Sequence, residues 1–272
     1  MKVRWSLFPY LLWMAIFVIV PLSLVVIFSF TDTSGNFTFE NFIESCKYSS
    51  VFLRSISFGA VSTIFCLVIG YPAAYCISKI SSKHQNVFIM LLMIPMWTSF
   101  LLRTYAWMTI LEYNGLINKF VSFMGFDKLN MINTPGAVIL GMVYNFLPYM
   151  ILPIYTVLIK IDKKIIEAAQ DLGANRVQIF TKIIFPLSIP GIISGFTMVF
   201  VPSVSTFIIS KMLGGGSVLV IGDLIEMQFL GNTYNPHMGS CISLILMIII
   251  MICTGVMNSL ESGSSKDGNI II

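Results

Sequence analysis

Residues 160–186 read KIDKKIIEAAQDLGANRVQIFTKIIFP. This stretch is rich in charge, yet it lies between two long runs, 129–159 and 183–210, that contain no charged residue. A helix needs about 20 apolar residues to cross the hydrocarbon core of a membrane, and both runs are long enough. The stretch therefore connects two predicted membrane spans, and it is too long and too charged to be a tight turn.

The first half of this connection has the pattern of a short amphipathic helix. Asp162 can cap its N-terminus, where a carboxylate also suits the positive end of the helix dipole. Ile165, Ala169 and Leu172 recur at the spacing i, i+4, i+7, which predicts one apolar stripe. Gly173 can adopt the left-handed conformation that ends a helix, so we expect the helix to stop there.

A second short helix is predicted to follow. Asn175 can cap it, and Gln178, three residues later, completes a pair that resembles a capping box. Pro186 is then expected to mark the turn of the chain back into the membrane.

The first helix has two possible partners. Ala168 and Ala169 are small, so a cytoplasmic protein could approach this helix closely and take it into a groove. Alternatively, the helix could lie on the lipid headgroups, where Lys163, Lys164 and Lys182 would meet anionic lipid. The residues alone leave both possibilities open.

The composition of the whole chain is that of a membrane protein. Of its 272 residues, 57% are apolar and 10% are charged, and the mean hydropathy is +0.89. Soluble domains have about 45–50% apolar and about 25% charged residues. These values exclude a soluble enzyme, a disordered chain and a nucleic-acid binder that works by basic charge alone. The five cysteines have no metal-site or disulfide-framework spacing and are predicted to be buried small apolar residues.

Six uncharged runs predict six membrane spans. Lys2 and Arg4 precede the first, which is too long for a cleaved signal peptide and lacks a small-x-small cleavage site, so 1–31 is predicted to be an uncleaved signal anchor. The runs are 5–31, 55–78, 84–102 (continuing past Arg103 to 111), 129–159, 183–210 and 238–260.

The distribution of charge predicts that both termini are cytoplasmic. With that orientation the inner segments hold ten Lys or Arg residues and the outer segments five, as the positive-inside rule requires. The outer segments also carry seven acidic residues, so their net charge is 5 − 7 = −2.

The connection 160–186 resembles the EAA loop of the permease subunits of ABC importers. The resemblance is carried by Glu167-Ala168-Ala169, then Gly173, then Ile183 and Pro186, with Phe185 where the family pattern has Leu. Further segments look like the first permease subunit of spermidine/putrescine importers. These are LVIGYPAAYCISK (67–79), IPMWTSFLLRTYAW (94–107), GMVYNFLPYMILPIY (141–155) and KMLGGGSVLVIGDLIEMQFL (211–230).

The resemblance implies a fold and a set of partners. The fold is an all-α membrane protein with six transmembrane helices, the type I ABC-importer permease fold. Its permease core would cover 52–260, and 261–272 would be a variable cytoplasmic tail. Partners would be a homologous second permease subunit, two copies of a cytoplasmic ATPase that dock on the EAA loop, and an extracytoplasmic polyamine-binding protein. The chain would lie in a bacterial cytoplasmic membrane.

A polyamine pathway needs aromatic faces and acids to meet several ammonium groups. Trp97 is expected about 15 Å into the third span, near the midplane, with Thr104 and Met108 on its face and Tyr105 offset by about 80°. Tyr144 on the fourth span is a further candidate. Each of these aromatic side chains could line the pathway or could simply be packed between helices. The same two interpretations apply to Tyr149.

Two acids form the second candidate cluster. Gly214-Gly215-Gly216 predicts a sharply bent or re-entrant segment, and Asp223 and Glu226, at i and i+3, would share a helix face near the outer mouth. They could receive a cation, or they could simply line a solvated loop. Arg103 is expected to snorkel outward or to pair with Glu112.

We predict that this chain performs no chemistry of its own. It contains no phosphate-binding Gly-Lys-Ser/Thr sequence, so ATP and Mg²⁺ are expected to bind to the partner ATPase. Neither His84 nor His237 has a Cys or His at metal-site spacing. Two other functions stay open: the same class of permease with a different cargo (iron, thiosulfate or phosphonate), and an ion-coupled secondary transporter, which would need ionisable residues inside its spans.

Overall fold

The computed structural model describes residues 9–231 and 234–268, with the side chains of the last helix described to residue 259. These residues form helices and no β-strand. The helices are α1 Pro9–Ser29 (with a π-helical turn at Ala15–Ile19), α2 Glu40–Ser45, α3 Ser49–Lys79, α4 Ser82–Trp97, α5 Phe100–Leu111, α6 Leu116–Phe123, α7 Pro135–Leu158, α8 Lys163–Asp171, α9 Arg176–Ile179, α10 Phe185–Ser205, α11 Ile208–Leu213, α12 Ile221–Leu230 and α13 Pro236–Gly268. The predicted all-α membrane fold is confirmed.

The predicted spans are found with shifted ends. Within the described residues, five helical segments are long and apolar enough to cross a membrane, and a bent pair of helices makes up to six. Lys2 and Arg4 lie outside the described residues. The last helix continues to Gly268, past the start predicted for the tail at 261.

The third span is not the continuous helix that the sequence predicted. α4 ends at Trp97, and the helical segment that begins at Phe100 is turned from it by 90°. Pro95 removes one backbone donor near the end of α4. Thr98 then adopts an extended conformation, and its hydroxyl donates to the Pro95 carbonyl over 2.7 Å. Two extended residues, Thr98 and Ser99, make the break.

The core of the bundle is built on α7, which packs against α3 and α10, and these two helices also pack against each other. Its most buried side chains include Val138, Met142, Met150 and Ile154. The first helix, α1, contacts α13, and two residues after its end Thr31 Oγ1 lies 3.2 Å from His237 Nδ1.

Two glycines four residues apart allow α10 to approach α7 closely. A Cβ added at Gly191 would lie 2.9 Å from the Pro153 carbonyl oxygen and 3.0 Å from Ile154 Cα. At Gly195 it would lie 2.8 Å from Met150 Sδ. Small residues at this spacing let membrane helices pack backbone against backbone.

We therefore expect Gly191→Leu to destabilise the fold by about 2–3 kcal/mol, because the new side chain meets backbone atoms that cannot rotate away. The matched control is Gly255→Leu on α13, where an added Cβ has no atom within 4 Å. Thermal unfolding of the purified protein in detergent should show a lower midpoint for the first variant and no loss for the second. Equal midpoints would contradict the close α7–α10 contact.

Candidate functional sites: the connection between α7 and α10 and the aromatic faces of α5 and α7

The connection between α7 and α10 begins with the predicted cap. The Asp162 carboxylate accepts a hydrogen bond from the Lys164 N–H over 3.0 Å, at the start of α8. The side chain thus satisfies one of the free donors of the first turn, and its charge faces the positive end of the helix.

The far end of α8 is closed by two backbone hydrogen bonds. Gly173 has φ +81°, so the predicted left-handed conformation is confirmed. Its N–H donates to the Gln170 carbonyl over 2.8 Å, and the Ala174 N–H donates to the Ala169 carbonyl over 3.0 Å. This pair of bonds is the Schellman motif. A Cβ at Gly173 would meet nothing within 4 Å, so glycine is required there for conformation and not for space.

The two faces of α8 differ from the predicted stripe. Ile166 and Ala169 are half-buried against the core. Ile165 and Leu172 are exposed, Leu172 by 89%. The predicted apolar stripe of 165, 169 and 172 is therefore wrong. The face of α8 that packs on the bundle is rotated by about one residue from the face that the sequence pattern indicated. Ala168, which is exposed, joins 165 and 172 on an apolar outer face.

Glu167 also lies on the exposed surface of α8. Its carboxylate forms no ion pair with any described residue. The exposed side of α8 thus combines small and apolar side chains with two acids, Glu167 and Asp171, that a partner can contact.

The helix that follows α8 enters the membrane without a turn. The predicted capping box is present: the Asn175 side chain accepts from the Gln178 N–H over 2.8 Å, and the Gln178 side chain accepts from the Asn175 N–H over 2.9 Å. The expectation that Pro186 turns the chain is wrong. A π-helical turn, Phe180–Ile184, joins α9 to α10, and the whole segment Arg176–Ser205 is one span. Such a turn changes the backbone hydrogen-bond pattern, so the helix tolerates the N–H that proline lacks.

Aromatic contacts hold this entry point against α3. Phe180 lies edge-on to Tyr71 and Tyr75, with ring centroids 5.9 and 5.5 Å away. Phe185, which departs from the family pattern, lies 5.7 Å from Tyr71. The Tyr71 hydroxyl is 3.0 Å from Ser188 Oγ. The sequence pattern assigned no role to Tyr71 and Tyr75, although the two tyrosines are four residues apart and so mark one helix face.

The aromatic residues of α5 and α7 form two groups of contacts. Trp107 meets Tyr144 edge-on at 5.3 Å between centroids. Phe100 and Tyr149 each lie 6.4 Å from the Phe146 ring. Tyr144 and Tyr149 are each 39% exposed, so each ring is partly packed and still presents a free surface. The structure adds Phe100, Trp107 and Phe146 to the aromatic residues that the sequence had indicated.

The sequence predicted that Trp97 shares a helix face with Thr104 and Met108, and this prediction is wrong. The break after α4 separates them: Thr104 is fully buried, whereas Trp97 is 73% exposed. Tyr105, which follows the break, is 55% exposed. The two aromatics therefore present free surfaces from separate helices.

Arg103 is unpaired within the described part of the chain. Its Nε is buried without a hydrogen-bond partner, and its guanidinium lies 5.9 Å from the Phe100 ring. The expected ion pair with Glu112 is absent there, so that alternative was wrong.

The two outer acids have different environments. Asp223 is 7% exposed, and its carboxylate accepts from the Ser210 hydroxyl over 2.9 Å and from the Val220 N–H over 3.1 Å. Burial raises the pKa of Asp223, and these two hydrogen bonds oppose the rise. Glu226 instead accepts two bonds from Lys211 Nζ, over 2.7 and 2.9 Å. The acids are near one another, but they do not form a free pair.

The glycine turn before them is sharply bent, as predicted. Gly215 and Gly216 have φ +54° and +79°, and they link α11 to the segment before α12. The turn is held to the start of α7, because the Ser217 hydroxyl is 3.0 Å from the Asn133 carbonyl and the Asn133 N–H donates to Leu213. No group of metal-binding side chains is present among residues 9–231 and 234–268.

Comparison with known proteins gives one consistent answer. The family model of binding-protein-dependent transport system inner membrane components matches residues 3–262. The chain is 38% identical over 248 residues to the spermidine/putrescine transport system permease protein PotB of Haemophilus influenzae, covering 88% of this chain and 86% of that protein. It is 36% identical to the protein of the same name from Escherichia coli, covering 88% and 90%.

The same fold occurs in a solved structure of low sequence identity. A chain of a bacterial ABC transporter that imports the acidic polysaccharide alginate superposes with a TM-score of 0.82, covering 96% of this chain and 95% of that chain. The two chains are 16% identical, so this likeness concerns the fold alone.

The contrast between the two outer acids can be measured. Asp223→Ala should cost about 2 kcal/mol, because it leaves the buried Val220 N–H without its acceptor. Glu226→Ala should cost at most about 1 kcal/mol, since its partner Lys211 is largely in solvent. The thermal midpoint in detergent should fall by roughly 5 °C for the first variant and change little for the second. A fall as large for the second would refute the difference in their environments.

Proposed function

We infer the function of this chain from one premise: it belongs to the family of binding-protein-dependent transport system inner membrane components. It is a multi-pass membrane subunit of an importer. We propose that its cargo is a polyamine, spermidine or putrescine, that it forms half of the translocation pathway, and that it lies in the membrane with both termini in the cytoplasm. The observation that supports this choice of cargo is the 38% identity to a spermidine/putrescine permease over 88% of the chain.

The proposed partners follow from the same premise. A homologous second permease would complete the pathway, two copies of a cytoplasmic ATPase would bind ATP and Mg²⁺, and a binding protein would deliver the cargo from outside. The exposed face of α8, with Glu167 and Ala168, is the proposed ATPase contact. Ala169, Gly173, Ile183 and Pro186 would act behind it, by fixing the shape of α8 and its connection to α10.

The proposed mechanism is a movement of α8 that reaches the bundle through two rigid links. One is the continuous segment Arg176–Ser205, which carries displacement into the membrane. The other is the contact of Phe180 with Tyr71 and Tyr75 on α3. Closure of the ATPases can shift the bundle only if α8 makes different contacts in the two states.

The proposed pathway residues suit a flexible multiple cation. The exposed faces of Trp97, Tyr105, Tyr144 and Tyr149 can contact ammonium groups and methylenes. Glu226 is the acid available to a cargo, because the solvent-facing Lys211 can give way to a cargo ammonium. Asp223 fits a structural role better than a contact with cargo, since both of its oxygens are already used.

The cargo is tested by uptake of labelled spermidine in cells that lack only this gene, with and without the gene restored. Restored, energy-dependent uptake that unlabelled putrescine competes away is the expected result. If the protein is in the membrane with its partner subunits and uptake does not change, the polyamine assignment fails. Iron, thiosulfate and phosphonate uptake in the same strains would then identify the cargo.

The coupling role of α8 is tested at Gly173. Gly173→Val should force a branched side chain into the left-handed region at a cost of about 1–2 kcal/mol, which corresponds to about a tenfold loss of the correctly ended helix. Spermidine uptake should fall about tenfold, while the protein still inserts into the membrane. ATP hydrolysis should no longer be coupled to transport. The matched control is Gly173→Asn, because Asn tolerates this conformation. Normal transport by the Val variant would show that α8 is not the coupling element.

A further inference from the structure

A polar cavity of about 400 Å³ opens at the end of the bundle that carries α8. It lies where α3 and α7 end and where α4 and α8 begin, and the side chain of Ile184 from the π-helical turn closes part of it. None of the roles proposed above uses this cavity.

The cavity wall is a fixed structure, because one glutamine holds the turn between α3 and α4. Gln85 Nε2 donates to the Ser78 carbonyl over 3.1 Å and to the Ile80 carbonyl over 2.9 Å. Its Oε1 accepts from the Tyr155 hydroxyl of α7 over 3.2 Å. The turn is thereby tied to itself and to α7, so the cavity does not depend on a mobile loop.

The lining of the cavity is basic. Lys79 and Lys163 both line it, and no Asp or Glu does. Neither lysine forms an ion pair within residues 9–231 and 234–268. Lys79 Nζ lies 5.2 Å from the Tyr75 ring, another part of the wall, which keeps the ammonium beside the cavity.

Hydroxyl groups and the first turn of α4 add further donors. Ser81 and Ser82 line the cavity at the N-terminus of this 16-residue helix. The Ser81 side chain does not cap the helix and instead lies 2.7 Å from His84 Nδ1. The positive end of α4 therefore adds to the two lysines in favouring an anion.

The surroundings of the cavity favour a ligand that is part anion and part apolar. Leu158, Ile159 and Ile184 line the same cavity and stand at membrane ends of α7 and α10. A phosphate group could meet the lysines while a hydrocarbon part meets these side chains. Basic pockets between helices on the cytoplasmic side suit the headgroups of anionic lipids.

We propose that this cavity binds a phosphate-bearing anion through Lys79 and Lys163. Two sources share that chemistry: the phosphodiester headgroup of an anionic phospholipid and free inorganic phosphate. Because the bound anion would touch both the α3–α4 turn and the first residue of α8, it would hold α8 against the bundle.

The test measures thermal unfolding of the full-length protein, purified with the subunits that accompany it, in nanodiscs. The discs contain phosphatidylcholine alone or phosphatidylcholine with phosphatidylglycerol. The variants are Lys79→Gln and Lys163→Gln, and the matched controls are Lys83→Gln and Lys164→Gln, which remove the same charge from positions that do not line the cavity.

Phosphatidylglycerol should raise the midpoint of the wild type and of both controls, and this rise should be at least halved in the two cavity variants. Phosphate added to the phosphatidylcholine discs separates the sources: a rise there that needs Lys79 and Lys163 identifies free phosphate, and its absence identifies the lipid. If all four variants lose the same part of the rise, or if neither lipid nor phosphate changes the midpoint, the proposal is overturned. The measurement involves no polyamine transport, so its failure is distinct from a failure of the proposed function.

Discussion

The structure depends on one constraint: inside hydrocarbon, a backbone N–H or C=O must find its partner within the protein. Helices meet this constraint locally, which is why the described residues contain no strand. Five prolines lie inside the three central helices: Pro72 in α3, Pro148 and Pro153 in α7, and Pro190 and Pro202 in α10. Each leaves one carbonyl without its usual donor. The tight packing of these three helices, above all at Gly191 and Gly195, supplies the cover that such positions need.

The same constraint explains why the chain is broken in one place and continuous in another. At Thr98 and Ser99 the backbone leaves the helical conformation, and the Thr98 hydroxyl supplies a donor for the Pro95 carbonyl. At Pro186 the chain keeps its helical course, because the π-helical turn before it changes the bonding pattern by one residue. The result is one span bent by 90° after Trp97 and another, Arg176–Ser205, that is helical throughout. Under the proposed mechanism, a displacement of α8 would pass through the turn at Gly173 into the continuous segment Arg176–Ser205.

Features of short range could be predicted from the sequence, and features of long range could not. The Asp162 cap, the left-handed Gly173 and the capping box of Asn175 and Gln178 each depend on residues within three or four positions, and all three are present. The inward face of α8 was predicted one residue out of place, because packing on the bundle decides it. The burial of Asp223 depends on contacts from further along the chain, such as that with Ser210, 13 residues away. Composition and periodicity do not contain that information.

The contrast between Asp223 and Glu226 bears on how the proposed importer subunit would handle a charged cargo. A buried carboxylate that accepts a backbone N–H and a hydroxyl is costly to expose, because both donors would lose their acceptor. The Lys211–Glu226 pair is different, because it is partly exposed: 60% of the lysine side chain and 22% of the glutamate side chain face solvent. Such a pair is worth about 1 kcal/mol, and an incoming ammonium would replace the lysine with a group of equal charge. Exchange of that kind changes the free energy little in either direction. A cargo that must enter and leave in each transport cycle needs such a site, since tight binding at the outer mouth would slow its release. Under the proposed function, the half-buried Glu226 and its exposed partner Lys211, with Asp223 fixing the helix beneath them, would form such a site.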